Sequence, residues 1–271
     1  MKKLWIVTEL FYPEETSTAF ILTKIANALS DKFDVNVICG PESYGRAALE
    51  DNPSTKLSLD GRIKIHRVSN CNLNKDKIFT RLLRFLIIGF KLSFSLWKNA
   101  KKQDRVFIVT NPAPLLISVA LIKRIKKFPF YILVHDVFPE NTIPAGVISS
   151  DKTFGYKLLR KCFNWAYKSA DCLIVLGRDM RQIMKSKLGK NQNNTKIEII
   201  ENWAENDITQ LNPVNKSKNI VIQYAGNIGR VQGLKSFIQQ YAEAMNPIVS
   251  LELWGDGAMR KELEEYAKEN E

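Results

Sequence analysis

Apolar positions along this chain fall into short β-branched runs that alternate with stretches of helical period. Leu4 to Val7 reads as a strand, and Leu22, Ile25, Ala26 and Leu29 then recur at helical spacing behind the cap-like Thr16-Ser17. Val35 to Gly40 is a second strand, the polar stretch from Pro41 to Asp60 a loop, and Ile63, Ile65 and Val68 suggest a third strand. Residues 78 to 102 read as one long helix. Strands follow at 105–110, 130–134, 172–176 and 197–200, separated by helices ending near Lys126 and spanning 153–169 and 179–187.

Repeated strand–helix alternation with apolar, β-branched strands predicts a parallel sheet covered by helices on both faces. The stretch 202–218 is polar and contains Pro213, after which the pattern restarts: strand 219–225, helix 234–245, strand 249–254, helix 258–270. The expected organisation is a doubly wound α/β domain over 1–203, a linker over 204–218, and the first part of a second Rossmann-like domain over 219–271. Two strands and two helices do not close a doubly wound sheet, so the chain is expected to stop within that second domain.

Composition changes this picture in one respect. Hydrophobic content of 45% and charged content of 25% are ordinary for a globular protein, but the net charge is +12, which points to an anionic partner. The four cysteines show no CxxC spacing, and with two histidines a zinc cluster is not expected. No metal or other cofactor is expected. After Lys2 and Lys3 the apolar run is too short for a secretory leader, and no run of about 20 apolar residues exists to span a bilayer. The expected location is the cytoplasm, with peripheral contact to the inner face of the membrane.

Ligands of an open parallel sheet bind outside the carboxyl ends of its strands. Those ends carry Thr8-Glu9, Asn111-Pro112, His135-Asp136, Gly177-Arg178, Glu201-Asn202-Trp203, the turn from Gly226 to Gly233, and Gly255-Asp256-Gly257. The turn Tyr-Ala-Gly-Asn-Ile-Gly-Arg-Val-Gln-Gly-Leu at 224–234 stands between a strand and a helix. It offers backbone N–H groups and a helix dipole to a phosphate, with Arg230 adding charge, or else it simply needs positive φ. His135 is a candidate catalytic group with Asp136 as its orienting neighbour; the alternative is a structural histidine capping a loop. The absence of GxGxxG disfavours a nicotinamide site, and the absence of Asp-x-Asp leaves a metal-chelated nucleotide unsupported.

These blocks, in this order, resemble retaining glycosyltransferases of the GT-B fold, family 4. The similar parts are Trp5 to Glu14, His135-Asp136-Val137-Phe138-Pro139-Glu140, Ile200 to Ala204, Tyr224 to Leu234, and Trp254-Gly255-Asp256-Gly257. The subgroup most resembled builds bacterial O-antigen and capsule with amino-deoxy, fucosaminyl-type sugars. The resemblance implies a nucleotide-sugar donor, catalysis without metal, His135 near the donor sugar, and the diphosphate at a turn made by Gly226, Asn227, Gly229, Arg230, Gln232 and Gly233. Gly255 and Gly257 would lie near the nucleotide. Many relatives place Arg after the first glycine of the turn and Lys before its last; this chain has Asn227 and Gln232. The family's paired glutamates would follow the point where this sequence ends, so the chain is expected to be truncated and to transfer sugar poorly by itself.

Residues 75–102 carry eight Lys and Arg against Asp76 alone, interleaved with Phe, Leu, Ile and Trp. A helix lying in the headgroup plane of anionic lipid fits this pattern, with Arg81, Arg84, Leu86, Phe90 and Trp97 on the membrane and acceptor side; a core helix with lysines on its outer face is the alternative. Three functions compete. The first is a glycosyltransferase acting on a lipid-linked saccharide in surface polysaccharide synthesis. The second is a non-catalytic membrane-docking and acceptor-binding module that needs a partner chain. The third, a nucleic-acid binder, is suggested by charge alone and lacks a reading motif.

Overall fold

The computed structural model describes residues 1–14, 16–42, 57–69, 78–189, 195–203, 219–244 and 246–269, with the side chains of residues 78, 79, 81 and 82 outside that description. The chain forms two compact units. One comprises Met1–Glu140 with Asp151–Trp203, the other Asn141–Ser150 with Ala204–Glu271. The linker expected at 204–218 lies outside the described residues.

The first unit contains β1 (Lys3–Val7), α1 (Ser17–Leu29), β2 (Asp34–Cys39), β3 (Lys64–Arg67), α2 (Ile78–Asn99), β4 (Arg105–Val109) and α3 (Pro114–Lys126). It continues with β5 (Phe130–Val134), α4 (Phe154–Lys168), β6 (Cys172–Val175), α5 (Arg178–Leu188) and β7 (Lys196–Ile199). The helices start where local chemistry says they should. Thr16 Oγ1 accepts from Ala19 N–H at 3.3 Å, Thr153 Oγ1 from Tyr156 N–H at 3.3 Å, and Pro114 occupies the first turn of α3. Lys127 closes α3 in the left-handed region at φ 58°, its N–H donating to Lys123 O.

The seven strands are all parallel and run in the order β3-β2-β1-β4-β5-β6-β7. The order in which strands are added across the sheet reverses between β1 and β4, which is the topological switch point where such sheets take ligands. Right-handed crossovers place α1 on one face and α2, α3, α4 and α5 on the other. Two core clusters match this division. Leu22 and Ala26 of α1 pack with Leu4, Ile6, Val35 and Val37 on one side. Leu92, Leu96, Leu115, Val119, Phe163 and Tyr167 pack with Trp5, Val7, Val106 and Ile132 on the other.

The second unit contains β8 (Ile220–Ala225), α6 (Leu234–Ala244), β9 (Val249–Trp254) and α7 (Arg260–Glu269). β8 and β9 pair in parallel, with Tyr224 opposite Leu253. Its small core is Ile228, Leu234, Ile238 and Leu263, while Ile220, Val221 and Ile222 of β8 remain exposed.

Candidate functional site

In the first unit the carboxyl ends of β1, β4 and β5 are neighbours, because Val7 pairs with Ile108 and Val109 with Leu133. Thr8-Glu9, Thr110-Asn111 and His135-Asp136 therefore share one sheet edge at the switch point. Glu9 is paired with Arg84 of α2 at 3.1 Å. Burial pushes the Glu9 carboxyl above its ordinary range, and the Arg84 charge and hydrogen bond oppose that rise. The chain here is tightly threaded: Gly40 N–H donates to Glu9 O at 2.9 Å, and a Cβ at Gly40 would stand 2.7 Å from that oxygen. Burial also holds the Cys39 thiol protonated, with its pKa raised to about 11.

His135 follows β5 directly. Its N–H donates to Thr110 Oγ1 at 3.1 Å, and the N–H of Asp136 donates to the same oxygen at 2.9 Å. Nε2 of the imidazole is buried and has no hydrogen-bond partner among the described residues. Burial lowers the His135 pKa, with the Asp136 charge opposing, so the ring is neutral near pH 7. A neutral, desolvated imidazole with one nitrogen unsatisfied can exchange a hydrogen bond with a hydroxyl brought to the sheet edge.

The loop after His135 is held from below. Phe138 N–H donates to Tyr167 Oη at 3.2 Å, and Lys187 Nζ donates to Phe138 O at 3.0 Å and to Asn164 Oδ1 at 3.2 Å. The same ammonium lies 2.6 Å from Glu140 Oε2. Burial lowers the Lys187 pKa, and Glu140 opposes the shift; burial raises that of Tyr167. Thr110, Tyr167 and Lys187 are absent from the sequence-derived set. Thr110 was within reach, as the residue closing the neighbouring strand. Nothing in Met184-Lys185-Ser186-Lys187 marks one lysine as buried.

In the second unit the glycine turn touches the end of β9 and the segment after it backbone to backbone. Gly226 N–H donates to Trp254 O at 2.9 Å and Ile228 N–H to Asp256 O at 2.8 Å. A Cβ at Gly255 would stand 1.8 Å from Gly226 O, and one at Gly257 would stand 2.3 Å from Ile228 O. The sequence-predicted Gly226, Asn227, Gly229, Gly255 and Gly257 are thus brought together. Asn227 Nδ2 and Gln232 Oε1 each lie 2.7 Å from where a Gly229 Cβ would be, so these two amides flank Gly229. Arg230 is exposed at the start of a short 3₁₀ turn, Arg230–Gln232, and Gly233 ends that turn at φ 66°.

Of the residues assigned to the membrane and acceptor side, Leu86, Phe90 and Trp97 are exposed on α2, whereas Arg84 turns to Glu9. The Arg81 side chain lies outside the described residues. The inner face of α2 is Ile88, Leu92 and Leu96, all buried, so this helix is apolar on two faces. Among the described residues no helix is long and apolar enough to cross a membrane.

A switch-point sheet followed by a strand, glycine turn and helix is the α/β arrangement that the sequence pattern predicts, and its GT-B class, expected from the family resemblance, matches solved glycosyltransferase structures. Residues 21–207 match the model of Glycosyltransferase Family 4, and the chain belongs to that family, which places it among the transferases. A probable glycosyltransferase WbjE of Pseudomonas aeruginosa is 32% identical over 282 residues, covering 100% of this chain and 67% of that protein. Among solved structures, Anabaena HepE in complex with UDP matches with a TM-score of 0.60 at 18% identity, covering 100% of this chain and 66% of HepE. The lipopolysaccharide outer core galactosyltransferase WaaB matches with a TM-score of 0.58 at 14% identity, covering 100% of this chain and 65% of WaaB. The chain spans about two thirds of the length of these relatives.

Proposed function

We propose that the chain serves the transfer of a sugar, of the amino-deoxy, fucosaminyl type, from a nucleotide-sugar donor to a lipid-linked saccharide in O-antigen or capsule synthesis. The first unit takes the acceptor at the edge formed by Glu9, Asn111 and His135. The second takes the donor at the turn from Gly226 to Gly233 and at Gly255 and Gly257. The observation that carries this reading is the buried, unpartnered Nε2 of His135 at the switch point of a family 4 sheet. Departure of a nucleoside diphosphate develops negative charge. With the Gly226 and Ile228 N–H groups already bonded to the β9 end, the remaining N–H groups of the turn from Gly229 to Gly233 together with Arg230 would stabilise that charge without a metal. His135, oriented by its backbone bond to Thr110 and flanked by Asp136, would hold a sugar hydroxyl brought to that edge.

A lipid-linked acceptor stays at the bilayer, so the reading includes peripheral docking on the inner face of the cell membrane through α2. Leu86, Phe90 and Trp97 would enter the headgroup region there. A second reading, a docking and acceptor-binding module that needs a partner chain, is favoured by the sheet of the second unit, two-stranded among the described residues, with its exposed Ile220, Val221 and Ile222. Calorimetric titration with UDP, followed by transfer assays with UDP-sugars and a polyprenyl-linked acceptor, separates the two. UDP binding that persists in His135→Ala while turnover falls supports the first reading. Membrane binding without either supports the second.

A further inference from the structure

The three helices α2, α3 and α4 contain eleven Lys and Arg and no Asp or Glu. They lie side by side on one face of the sheet: α2 packs on α3 and α3 on α4, and their buried sides share one core. Lys126 of α3 ties the first two together, donating to the carbonyls of Trp97 and Ala100 at the end of α2. Each helix also turns apolar side chains outward. On α2 these are Leu86, Phe90 and Phe94; on α3, Leu121 at 51% and Ile125 at 65% exposure; on α4, Phe154 at 83% and Leu158 at 52%. A solvated helix layer has no use for this combination, because large apolar residues at such exposure on three adjacent helices cost solubility.

Between α3 and α4 lies an open cavity of about 530 Å³. Lys123, Arg124, Lys127 and Trp165 contribute to its lining, as does Asp171, which pairs with Lys123 at 2.6 Å. Arg124 and Lys127 thus bring positive charge, and Trp165 an amphipathic ring, to a recess beside the exposed Leu121 and Ile125. Cations around an aromatic wall next to apolar tips are the chemistry of a phospholipid headgroup above its acyl chains. From these observations we infer that the outer surface of α2, α3 and α4 acts as one platform on an anionic bilayer, with the recess between α3 and α4 seating a phospholipid headgroup. The inference rests on the membrane-bound acceptor reading and enlarges the docking element from one helix to three.

Flotation of the full chain with vesicles of equimolar phosphatidylcholine and phosphatidylglycerol, and with phosphatidylcholine alone, tests this. The doubles Leu121→Ser/Ile125→Ser and Phe154→Ser/Leu158→Ser should each weaken binding to the anionic vesicles about tenfold, as should Leu86→Ser/Phe90→Ser on α2. Arg124→Glu with Lys157→Glu, both exposed and harmless to the core, should weaken it at low salt. Lys24→Glu with Lys32→Glu, on α1 and just past its end, is the charge-matched control and should matter least. If only the α2 variant loses binding, the three-helix platform is overturned and single-helix docking stands. If every folded variant binds like the parent, both fail. A dimer in solution that Leu121→Ser/Ile125→Ser dissociates would show that a second copy covers this face, and would overturn the platform as well.

Discussion

Lys187 Nζ lies 2.6 Å from Glu140 Oε2, and the lysine side chain is 1% exposed while the glutamate keeps 34% of its surface in water. A buried ammonium left without its carboxylate is far more costly than one never placed there. Glu140→Ala should therefore destabilise the first unit by about 3 kcal/mol, the low end for breaking a buried pair because Glu140 is partly solvated. Lys187→Met, which retains the volume and removes the charge, should cost less. Urea denaturation of the two variants checks the order; equal losses would assign the cost to packing.

The pH response should carry the mark of His135. Its pKa is lowered in the folded chain by burial, so below the ordinary value of about 6.5 the unfolded chain takes up the proton more readily. Stability from the neutral ring is complete above that value. It declines as pH falls through about 6.5 and levels off once the folded ring is also protonated. The difference in unfolding free energy between the parent chain and His135→Gln, measured from about pH 8 to pH 5, should show that decline on the acid side. A difference independent of pH would mean that the ring titrates alike in both states.

Two glycines of the second unit should behave differently on substitution. Gly255→Ala places a Cβ 1.8 Å from Gly226 O, a clash with backbone that only reshaping the turn relieves. Gly233→Ala meets nothing within 4 Å and suffers only from its φ of 66°, about 1–2 kcal/mol. UDP binding, followed by calorimetry, should vanish in the first variant and weaken modestly in the second. Equal effects would separate the turn from the Gly255 contact.

Amide exchange should divide the chain into two classes. β4 and β5 lie inside a seven-stranded sheet, with Val106, Ile108 and Ile132 fully buried. β8 and β9 form a two-stranded pair over a core of four buried residues. Two-stranded sheets are marginal without further cover, so β8 and β9 should exchange by more frequent opening than β4 and β5. Mass-resolved exchange over minutes to hours reads this directly.

Much of this architecture was legible because parallel strands buried on both faces are continuous β-branched runs, as in Val106-Phe107-Ile108-Val109, and because glycines and prolines punctuate them. The carboxyl-edge rule puts Glu9, Asn111 and His135 at strand ends, and the strand order makes those ends neighbours. What stayed hidden depends on partners distant in sequence. Arg84 reads as one more cation on a basic helix until the fold brings it to Glu9, 75 residues away. Lys187 reads as a solvated lysine until α5 settles on the loop at Phe138 and Glu140. The outward Leu121, Ile125 and Phe154 are ordinary helix residues in the sequence, and only the packing shows which face they occupy.

Arg84 stands on the same helix as the outward stripe of Leu86, Phe90 and Trp97. Each residue of an α-helix advances the azimuth by about 100°, so a side chain pinned at one point fixes the rotation of all the others. The bond to Glu9 is such a pin. It sets the roll of α2 from the rim of the sheet, and the direction in which the apolar stripe faces is a property of the loop after the first strand as much as of the helix itself.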